Sequence, residues 1–280
     1  MLRIVLFLAT NIAVLFMAAI AMFVLTALGI IPPDAPYTAM LVWCALFGFG
    51  GSIFSLAISK WVAKKSTRAH VIESPSNEIE RWLVDTVQRQ AKQAGIGMPE
   101  VAVFESPDPN AFATGMFRNN ALVAVSTGLL RLMNKGEVEA VLGHEVSHIA
   151  NGDMVTLTLI QGVLNTFVLF LARIIASQFD RGRVMIYMAL QMAFGIIASM
   201  IVAWFSRRRE FRADAGGAEL ESAGAMASAL HRLRTMRDAP SQLPDNLTAF
   251  GIRGEGMLKL MATHPPLEER IARLEGLRAS

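Results

Sequence analysis

The sequence predicts a mostly α-helical membrane protein with four hydrophobic helices and a small α+β polar part. Three observations predict it: four long apolar runs, two polar stretches patterned as helices and short strands, and basic clusters at the ends of the runs. The 280 residues are 53% hydrophobic and only 18% charged, against about 25% charged in a soluble domain. Mean hydropathy is +0.43.

The runs come first because about 20 apolar residues suffice to cross the hydrocarbon core. Ile4–Ile31, Tyr37–Ser59 and Val184–Phe205 carry no charge, and Val155–Ser177 carries only Arg173. The first run exceeds the roughly 7–15 apolar residues of a cleavable signal and ends at Pro32-Pro33 without a small-residue cleavage site, so it reads as a retained anchor. The third run is the weakest span: Thr158, Gln161 and Asn165 form a polar stripe that faces other helices or a wet cleft, and a hairpin dipping partway into the membrane is the alternative. Arg173 has the length to snorkel to the interface.

Lys60, Lys64, Lys65 and Arg68 follow the second run, and Arg207, Arg208, Arg209 and Arg212 follow the fourth. The positive-inside rule then places both polar regions and both termini in the cytoplasm. The expected organisation is two transmembrane helices over 1–59, a cytoplasmic part over 60–154, a hydrophobic hairpin over 155–205 and a second cytoplasmic part over 206–280. The two polar parts are expected to form one domain. The pI near 9.3 needs no nucleic acid, since net charge is only +3 and the basic residues flank membrane segments.

Within the polar parts, Ser76 is a candidate cap for a helix reaching Ala94 and closed by Gly95. Glu100–Phe104, Asn110–Phe117 and Ala121–Ser126 read as strands. Asn134 with Glu137 resembles a capping box, and Asn151-Gly152 ends the helix it starts. A helix from about Ser206 to Met236, broken near Gly216-Gly217, is expected next. Leu243–Glu255 looks like loop, and Leu267–Leu277 is a last helix after Pro265-Pro266.

The chemistry centres on His144-Glu-Val-Ser-His148. On a helix, residues four apart share a face, so both imidazoles can reach one metal ion. Glu145 lies about 100° around, placed to take a proton from water without being a ligand. The plain alternative is a helix with two ordinary histidines. A catalytic zinc needs a third protein ligand and one open position. Cys44, the single cysteine, excludes an intrachain disulfide and a cysteine-based site, which leaves acids and the other histidines. Glu210 is the best placed, just where the fourth run ends, with Asp214 one turn beyond it to accept from a ligand histidine. The competing reading is that these acids neutralise neighbouring arginines. His70 and His231 have no supporting context.

His144–His148, the block Ser-Arg-Arg-Arg-Glu-Phe-Arg-Ala-Asp-Ala (206–215), Asn-Ala-Phe-Ala-Thr-Gly (110–115) and His-Pro-Pro-Leu-Glu-Glu-Arg-Ile (264–271) together resemble the HtpX family of bacterial membrane zinc endopeptidases, relatives of the eukaryotic CAAX-prenyl proteases. The resemblance spans essentially the whole chain. It implies a gluzincin-like zinc-peptidase domain with one Zn2+ per chain, His144, His148 and Glu210 as ligands, Glu145 as general base and Asp214 behind the ligands. It implies an edge strand on which Asn110 and Ala111 hold substrate backbone, although a bare Asn-Ala after proline is otherwise a turn. It places His264 near the metal as an oxyanion donor with Arg270 to orient it; capping of the last helix is the other reading of His264.

The function implied is proteolysis of misfolded or membrane proteins at the cytoplasmic face of the bacterial inner membrane, in envelope quality control and the stress response. The competing class is a non-enzymatic metal-binding transporter or adaptor. Intramembrane acids are absent from the runs, against transport, and a structural zinc would want a fourth protein ligand. No G-x-x-x-x-G-K-[ST] is present, so no ATP-driven unfolding is built in.

Overall fold

The computed structural model describes Phe23 and residues 37–238 and 264–279. Apart from Phe23, the first apolar run lies outside the described residues, as does the expected loop Leu243–Glu255. Contacts divide the chain into two units, Met1–Ser55 with Val155–Val202, and Leu56–Met154 with Ala203–Ser280.

Three described helices are long and apolar enough to cross a membrane: α1 (Tyr37–Thr67), α5 (Asp153–Ser177) and α6 (Arg183–Leu220). In the first unit, α1 and α5 approach through small residues. A side chain at Gly48 would lie 2.7 Å from the Thr166 backbone nitrogen, and one at Gly162 would lie 2.6 Å from the Phe49 ring. Such close approach is how helices gain contact where lipid offers no hydrophobic drive. Asn165, from the expected polar stripe, donates to Ser52 Oγ at 3.3 Å. Met185, Met188, Met192 and Ile197 of α6 point outward, as a lipid-facing surface requires.

The second unit holds a four-stranded sheet in the order β1-β2-β4-β3. Its strands are β1 (His70–Val71), β2 (Glu100–Phe104), β3 (Ala111–Phe117) and β4 (Asn120–Ser126). β2 and β4 are parallel, while the outer pairs are antiparallel. Val101, Val123 and Val125 face a core completed by Leu83 and Val87 of α2 (Glu78–Gln93) and by Val138, Leu142 and Val146 of α4 (Lys135–Asn151). The short α3 (Thr127–Leu132) joins β4 to α4. The last turns of α1 are tied to the sheet: Thr114 bonds Ser59 at 3.0 Å, and Lys60 and Lys64 pair with Glu100 at 2.9 and 3.2 Å. Two basic residues expected only to flank a membrane thus also hold a strand.

α2 is capped by Asn77, one residue past the expected Ser76, because the Asn77 side chain accepts from the Glu80 backbone while Ser76 binds the Glu80 carboxylate. The Asn134–Glu137 capping box is present, and Gly152 closes α4 at φ +69. The larger correction concerns Gly216-Gly217. α6 runs through them without a break and stops at Leu220, before α7 (Ala223–Asp238). These glycines allow close packing. A side chain at Gly216 would meet Ser147 Cβ at 2.8 Å, and one at Gly217 would meet the His144 backbone nitrogen at 3.0 Å. At about 1.5 Å per residue, the 38 residues of α6 span about 57 Å. One continuous helix therefore carries both an apolar span and the acids Glu210 and Asp214. α8 (Leu267–Ala279) packs on α7 and completes the core with Ile271 and Leu274.

Candidate active site

α4 is buried on nearly all sides, including His144, Val146 and Ser147, which is why its sequence shows little one-sided amphipathicity. Its spacing brings the two rings together at right angles, with Nε2 of His144 and Nε2 of His148 3.1 Å apart. Glu210, from α6, sets Oε2 3.6 Å from the first nitrogen and Oε1 3.4 Å from the second. Four donors around a zinc ion at about 2.0–2.1 Å would be separated by about 3.3–3.4 Å along a tetrahedron's edges. The three observed separations bracket that value, and these atoms form a possible cation cluster among the described residues.

The far nitrogens decide the tautomers. His148 Nδ1 forms a 2.7 Å hydrogen bond with Asp153 Oδ2, whereas His144 Nδ1 lies 3.0 Å from Asp214 Oδ1, an ion-pair contact without hydrogen-bond alignment. Each aspartate favours a proton on the Nδ1 it faces, which turns both Nε2 lone pairs and the Glu210 carboxylate toward one point. Glu210 Oε2 is also buried without an aligned hydrogen bond. Buried acceptors converging in this way fit a cation, and the imidazole and carboxylate donors suit zinc.

The electrostatics say the same. Burial disfavours a charged imidazole, yet Asp153, Glu210 and Glu145 outweigh it and raise His148 to about 10. His144 is raised against burial by Asp214 and Glu210. Burial would push Glu210 up, but the surrounding histidines hold it well below the usual carboxylate range. Asp214 is likewise lowered against burial, by Arg270 and then His144. The proton affinity of the two rings reports the negative potential a metal cation would meet.

The other expected residues converge on the same place. A cavity of 140 Å³ is lined by His144, Glu145, Glu210, His264, Asn110 and Ala111, among others. His264 is mostly exposed and sets Nδ1 2.9 Å from Glu210 Oε2. β3 is the edge of the sheet among the described residues. Ser126 donates to the Asn110 carbonyl, so the antiparallel alternation turns the N–H and C=O of Ala111 and Ala113 away from β4, toward the open edge. His70 is exposed, and the partly exposed His231 pairs with Glu275 at 3.2 Å, away from the cluster.

Two features escaped the sequence reading. Asp153 is 2% exposed and grips His148; the available signal was an acid directly after the helix-closing Gly152, beside the last turn of α4. Arg270, expected to orient His264, instead makes a two-point bond to Asp214 at 2.6 and 2.8 Å and approaches Glu210 at 3.4 Å. Its burial among acids makes the paired carboxylates stronger partners for a planar guanidinium.

Comparison with known proteins agrees with this geometry. The chain is 56% identical to Protease HtpX of Thioalkalivibrio sulfidiphilus (strain HL-EbGR7), with 99% of each chain covered. It is 54% identical to the Protease HtpX homolog of Thiobacillus denitrificans (strain ATCC 25259 / T1), again over 99% of each. It is 56% identical to Protease HtpX of Stenotrophomonas maltophilia (strain K279a), over 99% of this chain and 98% of the relative. Its fold is like that in the crystal structure of S. mikatae Ste24p, with a TM-score of 0.62 at 16% identity, covering 94% of this chain and 67% of that one. With residues 77–278 matching the model of peptidase family M48, a stretch that contains every residue of the cluster, the chain belongs to that family.

Proposed function

We propose that this membrane metallopeptidase is a zinc endopeptidase that cleaves unfolded or membrane proteins at the cytoplasmic face of the bacterial inner membrane, in envelope quality control and stress response. The observation that carries the reading is the convergence of His144 Nε2, His148 Nε2 and a Glu210 carboxylate, with each imidazole held from behind by an aspartate. His144, His148 and Glu210 would hold one Zn2+ per chain, and three protein ligands leave a position open. A transporter or adaptor is not favoured, since the relatives that match over the full chain are proteases.

Zinc held there would supply Lewis acidity to a water molecule and to the scissile carbonyl. Glu145 takes the water's proton and later delivers it to the leaving amine. Asn110 and Ala111 hold the substrate as an added strand on the edge of β3. His264 donates to the developing oxyanion, while Asp214 fixes the His144 ring. Ile4–Ile31 is the fourth hydrophobic helix in this reading, so that the chain is multi-pass, with 1–59 and 155–205 in the bilayer and 60–154 and 206–280 forming one cytoplasmic catalytic domain.

Glu145→Gln tests the chemistry. Purified variant is expected to bind zinc like the wild type and to lose casein cleavage, because only the proton acceptor changes. Cleavage at the wild-type rate would sink the mechanism. Orientation is tested separately in a Cys44→Ser background. A cysteine at Asp180 is expected to react with an impermeant thiol reagent in intact cells and one at Lys92 only after lysis. Labelling of the Lys92 position from outside would reverse the topology.

A further inference from the structure

We infer that the tip of the β3–β4 hairpin, Phe117 with Arg118, docks on the headgroup layer of the membrane and so fixes one end of β3 at the bilayer surface. Phe117 stands apart from the other phenylalanines of the sheet. It is 61% exposed, whereas Phe104 is 6% exposed and lies against Phe112 with ring centroids 5.6 Å apart. A single exposed apolar residue is ordinary on a soluble surface. What surrounds this one is not. On one side the hairpin is tied to α1 where its charge-free run ends: Thr114 bonds Ser59 at 3.0 Å, and Lys60 donates at 2.5 Å to Asn120, the residue opposite Phe117. On the other side, the Arg118 guanidinium donates to the Ala150 carbonyl, five residues before the apolar run that starts at Val155. The tip is thus held between the points at which two helices long and apolar enough to cross a membrane, α1 and α5, meet polar sequence.

Backbone and charge both suit that contact. The pairing of β3 with β4 shifts register between Thr114 and Phe117. Gly115 sits in this irregularity at φ +131, where a side chain would come within 2.8 Å of the Asn120 carbonyl oxygen. Glycine meets both demands, and a bulge re-aims the end of the strand. No Asp or Glu occurs from Pro109 to Gly136, so neither strand nor the turn repels an anionic headgroup, while Arg118 attracts one. Trp61, 62% exposed, directly follows Lys60 on α1. At the end of the fourth run, Arg208 lies 4.3 Å over the ring of the exposed Trp204. Aromatic rings beside cations at the ends of apolar runs are what the headgroup region selects. From Phe117 to Ala111, β3 covers about 20 Å. A docked tip therefore lays the open edge of β3 between the bilayer surface and the histidine cluster. That this edge receives substrate leaving the membrane rests on the peptidase reading; the docking itself does not.

The test uses the full-length protein in nanodiscs of mixed zwitterionic and anionic phospholipid, in the Cys44→Ser background. An environment-sensitive fluorophore is placed on Phe117→Cys or, as the control, on Ile79→Cys. Ile79 is 57% exposed and lies by Lys135 and Val138, at the end of α4 remote from α5. The probe at position 117 is expected to emit further to the blue than the one at 79. It is also expected to lose most of its emission to a phospholipid spin-labelled in its headgroup, with little loss at 79. Without the dye, Phe117→Cys is expected to react with a water-soluble maleimide more slowly than Ile79→Cys, each normalised to its rate in the unfolded chain. That second readout is free of the dye's own affinity for lipid. Equal quenching at the two positions, or equal normalised reactivity, would overturn the inference. A blue shift at 117 without lipid quenching would overturn it as well, because another protein surface, such as a second copy, would then cover the tip. None of these readouts needs zinc or turnover, so their failure leaves the peptidase reading standing.

Discussion

His144 and His148 are each backed by an aspartate and then an arginine, but the two chains are built in different ways. Behind His144, both supports come from distant sequence: Asp214 on α6 and Arg270 on α8. The pair is bidentate and buried, with the Arg270 side chain 8% exposed. Behind His148, the acid is local. Asp153 lies five residues on, at the start of α5, and its carboxylate meets Arg212 at 2.5 Å while its carbonyl accepts from Arg209 at 2.7 Å. The Arg212 side chain is 55% exposed. The same orienting device is locked in the core on one side and open to solvent on the other. Burial of the countercharge, more than the acid itself, should decide how much stability each support controls.

Removing what the two chains share gives the largest effect. Glu210→Ala is expected to lose bound metal after desalting, measured by elemental analysis. Glu219→Ala, about half a turn around the same helix, is expected to keep it. Equal metal content in both would mean that Glu210 is not the ligand joining the two histidines.

Asp214→Ala comes next, because it strands a buried guanidinium. A stability loss of about 3–5 kcal/mol is expected from denaturant unfolding in detergent, together with a 10–100-fold loss of zinc affinity. The sign with pH follows from the lowered Asp214 pKa. Its contribution is full above the unfolded value of about 3.9 and is lost as pH falls through the lower folded value. The wild-type advantage over Asp214→Ala is therefore expected to shrink in acid. A stability loss constant with pH would detach it from the carboxylate.

Asp153→Asn keeps shape and removes charge. Zinc affinity is expected to fall about 10-fold or more in chelator competition, with a smaller change in stability than Asp214→Ala produces. The reverse order would mean that exposure of the arginine is not what separates the two supports. Arg212→Ala gives the smallest effect, within about 1 kcal/mol and diminished by salt. A salt-independent effect as large as that of Asp214→Ala would erase the contrast.

Much of this site was legible residue by residue. Four-residue spacing put two imidazoles on one face of α4, and Asn134 with Glu137 marked where that helix begins. Glu210 and Asp214, a turn apart, were nominated together and do share the cluster-facing side of α6. Gly216-Gly217 misled because glycine's low helix propensity is a local fact, whereas its lack of a side chain matters only where another helix arrives. There Ser147 comes too close for a Cβ at Gly216, and the His144 backbone leaves one at Gly217 only a tight fit. Arg270 was assigned to the wrong neighbour for a related reason: proximity in sequence to His264 says nothing about which carboxylate a long side chain will meet.

The sequence by itself determined the elements and the chemistry on offer: apolar runs long enough for a bilayer, the helix of paired histidines with its caps, the strands, and a supply of acids near the end of an apolar run. Periodicity and capping are properties of neighbours along the chain, so one dimension suffices to read them. Only the tertiary structure decided that α6 stays continuous through its glycines, that Asp153 faces His148, that Arg270 clamps Asp214, and that α7 lends three apolar residues to the cavity. Those choices depend on which helix faces which and at what distance. They are settled by packing across elements far apart in sequence, where burial makes each unpaired charge costly and each close contact selective.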